Sequence, residues 1–73
     1  MDRETRKHTE IIHEGKYAAE VEIEFHYSNE SWSPTMSAND AKKLDAVRSA
    51  LRRNDILEAA KYARLFELKP ISA

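Results

Sequence analysis

Between Lys16 and Tyr27 the chain reads KYAAEVEIEFHY, and in its second half apolar and polar residues alternate one for one. Successive side chains of an extended strand face opposite sides, so Val21, Ile23 and Phe25 fall on one face and Glu20, Glu22, Glu24 and His26 on the other. That is a strand with one dry and one wet face. Upstream, TRKHTEIIH (Thr5–His13) ends in the β-branched pair Ile11 and Ile12, and Glu14-Gly15 follows with the only glycine of the chain. A glycine between two strand-like runs suggests a hairpin turn that needs a positive φ. An antiparallel pairing then brings Arg6, Lys7 and His8 opposite or diagonal to Glu20, Glu22 and Glu24, as cross-strand charge pairs whose register the sequence leaves open.

Downstream, Ser28-Asn29-Glu30-Ser31 breaks the strand, and Pro34 keeps Ser33 out of the helical region. Ser37 with Asp40 three residues on is a variant capping box, after which Ala41, Leu44, Val47, Ala50 and Leu51 recur at helical spacing. Asp55 and Glu58 repeat the capping logic, Ile56, Ala59, Ala60, Ala63 and Phe66 or Leu65 form a second stripe, and Pro70 stops it. The expectation is a single α+β domain over residues 1–73: frayed residues 1–4, a β-hairpin over 5–27, a loop over 28–37, and an antiparallel helical hairpin made of helices over 38–53 and 55–68, a ββαα order completed by oligomerisation.

Size supports the last clause. A chain of 73 residues buries only roughly 60% of its unfolded surface on folding, and domains this small usually need disulfides, a metal or oligomerisation. With no cysteine, disulfides and thiolate metal sites are excluded. Self-association, with a dimer favoured, is the remaining route, and Val21, Ile23 and Phe25 are the residues expected to be buried by it.

Lysine plus arginine number 12 against 13 for aspartate plus glutamate, a net charge of −1 that gives no global reason to bind nucleic acid or an anionic membrane. The charged start Met1–Lys7 leads into no apolar run and no stretch of about 20 apolar residues follows, so the expectation is a cytoplasmic protein without a signal peptide or membrane span.

The candidates for chemistry are weak. His8, His13 and His26 all fall in the hairpin, but their spacing matches no short metal-ligand motif, and solvated strand histidines are far commoner than ligands. The row Glu20, Glu22, Glu24 has the look of an acid–base pair, yet a period of two is also what any wet strand face produces. Arg48 and Arg52, four apart on one helix face, could contact phosphates together with Arg53 and Lys42; arginines in a last helical turn also complement the helix dipole with no ligand. No phosphate-cradling glycine loop and no nucleophile with a local base is present. The chain reads as non-enzymatic and without a cofactor.

Glu14-Gly15-Lys16-Tyr17-x-Ala19-Glu20-Val21, the Trp32-Ser33-Pro34 loop and the Asp40-Ala41-x-Lys43-Leu44-Asp45 helix together resemble a family of short uncharacterised bacterial proteins, over most of the chain from Glu14 onward. The resemblance implies no activity. In size and charge the chain is also similar to antitoxin components of toxin and antitoxin pairs, which implies a small regulatory protein with a protein partner. Ala59-Ala60, Tyr62 and Glu67–Pro70 look like one tetratricopeptide unit, but solenoids need about three, and ordinary helix packing accounts for them. The functional expectation is a self-associating interaction module, with nucleic-acid binding through the arginine stripe as the alternative.

Trp32, the only tryptophan, sits in the loop of SWSPTMSANDA (Ser31–Ala41). As a plug it would cover the end of a core short of apolar material; as an anchor it would meet a partner, where tryptophan is enriched. If it is the plug, Trp32→Ala costs about 3 to 5 kcal/mol, most of the stability of so small a domain, and the folded protein emits in the blue and shifts red only on denaturation. Red emission from the folded protein, with stability unchanged by the substitution, would identify an anchor instead.

Overall fold

A computed structural model describes residues 3–28 and 33–72. In chain order the elements are β1 (Arg3–Glu14), β2 (Tyr17–Ser28), β3 (Thr35–Met36), α1 (Ala38–Arg52), α2 (Ile56–Ala60) and β4 (Arg64–Glu67). The architecture is α+β, an antiparallel hairpin followed by helices, as the alternation of β2 and the capping signals require. Trp32 and the choice between plug and anchor lie outside the described residues.

Gly15 occupies the first central position of the two-residue turn with φ 61°, the position where a type II′ hairpin turn needs a left-handed residue. The turn closes Glu14 on Tyr17 and sets the register of the whole ladder: Ile12 opposite Ala19, Glu10 opposite Val21, His8 opposite Ile23, Arg6 opposite Phe25. Residues directly opposite share a face. Of the three basic residues expected against the carboxylate row, only Lys7 is on that face, across from Glu24. Arg6 and His8 are a register step away and stand on the face that the helices partly cover.

β2 is the central strand. β1 runs along one edge; on the other edge β3 pairs with Phe25 and His26, and β4 pairs with Tyr17–Glu20. Between these two short strands the Glu24 amide donates to the Asp40 carboxylate at 2.8 Å. Asp40 is in the first turn of α1, whose N-cap Ser37 accepts the Asp40 amide through its hydroxyl at 3.0 Å. Half of the expected capping box therefore forms as read, while its carboxylate turns away to the sheet edge.

α1 ends in a Schellman motif: Asn54 takes φ 61°, its amide donates to the Leu51 carbonyl at 3.0 Å, and the Asp55 amide donates to the Ala50 carbonyl at 2.8 Å. Asp55 then caps α2 by accepting the Glu58 amide at 3.2 Å. The second helix, expected over 55–68, stops after Ala60. Residues Arg64–Glu67 are instead β4, because the open edge of β2 offers RLFE backbone partners that the few remaining helical bonds do not match, a tertiary context overriding a marginal local preference. β3 likewise occupies part of the segment read as a loop over 28–37.

The core contains Ile12, Ala19, Val21 and Ile23 from the sheet, Val47, Ala50 and Leu51 from α1, and Ala59 from α2. Three of these are alanines, so the packing is close and the apolar volume small. The helix reaches from Asp40 beside Glu24 to Arg52, whose guanidinium donates to Glu14 at 3.2 Å. The hairpin beyond Glu24 therefore projects past the helices, and the radius of gyration is 14.9 Å against about 11 Å for a compact chain of this length.

Because Asp40 ties the first turn of α1 to the stretch of the β2 edge between β4 and β3, Asp40→Ala should destabilise by about 1 to 3 kcal/mol, the scale of losing a hydrogen bond to a charged acceptor. Lys43→Ala, which loses only a 3.9 Å ion pair with Asp40, should cost under about 0.5 kcal/mol. Urea denaturation of both variants checks the contrast, with amide exchange at Glu24 faster in Asp40→Ala alone.

Candidate interaction surface

Residues of β1 alternate in where their backbone groups point. A two-residue hairpin loop is closed by a hydrogen-bonded pair, here Glu14 and Tyr17, so the even-numbered residues of β1 exchange their bonds with β2 and the odd-numbered ones present N–H and C=O to the outside. Thr5, Lys7, Thr9, Ile11 and His13 form that outer rail. Among the described residues no strand pairs with it.

Val21 and Ile23, expected at a self-association surface, are buried within the single chain beneath α1, at 0% and 2% exposure. They do not form that surface. The reason is that α1 and α2 cover the dry face of β2 within the same chain. Phe25, the third of the set, is half-buried on the projecting part of the hairpin, its ring centroid 5.1 Å from that of His8.

On the same face β1 carries Glu4, Arg6, His8 and Glu10 in succession. Arg6 donates to Glu4 at 2.8 Å and lies 5.3 Å from the centre of the Tyr27 ring; His8 lies 3.1 Å from the Glu10 carboxylate. The hydrogen bond that Arg6 donates to Glu4, and after it the charge of Glu4, hold the Arg6 guanidinium above its already high ordinary value. The β1 edge is therefore flanked by fixed charges of both signs. These four residues were not singled out together as a site from sequence, where Arg6 served as a partner for the glutamates of β2 and His8 as such a partner and as one of three histidines weighed for a metal.

The opposite face of the sheet carries the carboxylate row. Glu20 has Ile11 across from it on β1 and Arg64 on β4, Glu22 has Thr9, and Glu24 has Lys7. Phe66 stands beside Ala18 with the Arg64 guanidinium 5.2 Å from its ring centre. A cleft of about 390 Å³ lies here between Glu20, Glu22, Lys43, Tyr62 and Arg64. Its walls mix both charges and select neither an anion nor a cation.

The arginine stripe is not free. Arg48 lies 3.7 Å from Asp45, Arg52 3.2 Å from Glu14 and Arg53 3.6 Å from Asp55; Lys42 is exposed near the start of α1. The histidines are also apart: His13 donates to the Gly15 carbonyl at 2.9 Å beside the turn, His26 is 3.3 Å from the Thr5 hydroxyl at the far end, and His8 is on the other face. Among the described residues no group of three or more His, Cys, Asp or Glu could hold a metal ion, and no helix is long and apolar enough to cross a membrane.

No protein-family model, no curated protein and no solved structure matches this chain, which leaves its own surface as the ground for a functional reading.

Proposed function

We propose that this protein is a non-enzymatic interaction module that works as a self-associated species, a small regulatory protein of the antitoxin-like kind with a protein partner of its own. The observation that carries the reading is the outer rail of β1: twelve residues of strand, the longest edge of the sheet, with nothing paired to it among the described residues. Open edges of this length are templates for another chain, and a small alanine-rich core leaves the domain in need of the stabilisation that association supplies by mass action. The nucleic-acid alternative draws less support. Arg48, Arg52 and Arg53 each have a carboxylate within 4 Å, so a phosphate would have to compete with an existing partner at every one of them.

Sedimentation over about 1 to 100 micromolar should show a concentration-dependent species heavier than the 8.5 kDa chain, with the melting temperature rising with concentration. A folded monomer at every concentration, with a constant melting temperature, would remove the reading. A mobility shift with DNA or RNA at low salt that falls steeply as salt is added would favour the alternative.

A further inference from the structure

Resting on the self-association reading, the geometry points to a specific occupant for the β1 edge: we infer that a second copy of this chain pairs its own β1 with it, antiparallel, about a two-fold axis through His8, giving one continuous sheet across the two copies.

The symmetry restricts the possibilities. A two-fold axis perpendicular to the sheet keeps like faces together, so even-numbered residues meet even and odd meet odd. Four registers keep at least nine of the twelve residues of β1 paired, those centred on Lys7, His8, Thr9 and Glu10. Centring on Lys7 sets Lys7 against itself and Glu4 against the partner's Glu10. Centring on Thr9 opposes Glu4 to the partner's Glu14, twice, and centring on Glu10 opposes that residue to itself. Like charges directly opposite are destabilising. Of these four, only the register centred on His8 opposes no like formal charges within Arg3–Glu14.

That register is also attractive. Arg6 faces the partner's Glu10 on both sides of the axis, which exchanges each residue's exposed local partner, Glu4 and His8 respectively, for a cross-strand one. On the other face Thr5 meets the partner's Ile11 and Lys7 meets the partner's Thr9. The outer rail supplies the ladder bonds, since its N–H and C=O groups already point outward. Glu4 comes beside the partner's Ile12, so the projecting end of one hairpin, with Phe25 and Tyr27, is set beside the portion of sheet that the second copy's helices cover.

Charges on an edge strand are the usual guard against indiscriminate pairing. Here the same charges bar the neighbouring registers and leave one that is complementary to itself, which is how attraction and exclusion combine into specificity.

The chain has no cysteine, so single substitutions read the register directly. Directly opposed residues in an antiparallel pair have Cα atoms about 4.5 to 5.5 Å apart, within the range a disulfide spans. His8→Cys should form a disulfide-linked dimer under mild oxidation, while Lys7→Cys and Thr9→Cys should remain largely uncrosslinked. Arg6→Glu and Glu10→Arg should each raise the dimer dissociation constant by roughly tenfold or more, and mixing the two variants should restore a dimer of one copy of each. A dimeric parent whose variants crosslink at Lys7 or Thr9 instead, or whose mixed variants stay apart, would overturn the His8 register and leave self-association standing. A parent that is monomeric throughout would sink both.

Discussion

Ala19, Val21 and Ile23 stand on one face of β2, and their burial beneath Val47, Ala50 and Leu51 of α1 constrains every other element. Fully burying a valine or isoleucine side chain contributes about 1.5 to 3 kcal/mol, and the core holds few such side chains. The helix must therefore lie along this short run of strand and nowhere else. Its start is held at the sheet by Asp40 and its end is turned by Asn54, so that α2 and β4 return along the same strand. With α1 confined to the turn-proximal part of the hairpin, the far part of the hairpin projects uncovered.

This arrangement distributes charge in a way that the alternation alone does not explain. The dry face of β2 continues into β1 as Glu10, His8, Arg6 and Glu4, all charged or ionisable, because the helices do not reach over them. Among the described side chains of β1, only Ile12 is part of the core. β1 is thus held in the sheet mainly by its ladder to β2, and its side chains on the helix side are available to solvent or to another chain.

The hairpin, its turn glycine, the helix start at Ser37 and the turn into Asp55 were all legible from the sequence, because each rests on a local rule: a period of two, a positive φ at glycine, a side chain capping an amide. The strands β3 and β4 were not legible. RLFE carries no alternation long enough to outweigh the helical spacing of Ile56, Ala59, Ala60 and Ala63, and it becomes a strand only because β2 has a free edge some 45 residues earlier in the chain. The candidate site was less legible: Val21 and Ile23 were assigned to a self-association surface, but both are buried within the chain, because the sequence does not say that one chain's helices suffice to cover them. The placement of Arg6 and His8 on the helix side depended on a register that Gly15 fixes only through the geometry of its turn.

The two edges of the sheet are treated unequally, and that inequality bears on function. The β2 edge is covered piecemeal, by two residues of β3, by the carboxylate of Asp40 and by four residues of β4. Each piece comes from a different part of the chain, and together they leave little continuous backbone for another strand to use. The β1 edge has no such cover among the described residues and no proline or glycine within Arg3–Glu14 to bend or interrupt it. Its protection consists of side-chain charge alone, and charge, unlike a covering strand, discriminates between partners. An edge guarded in this manner disfavours strands that would oppose like charges to it, and that selection by charge is what the proposed pairing of two copies of β1 draws on.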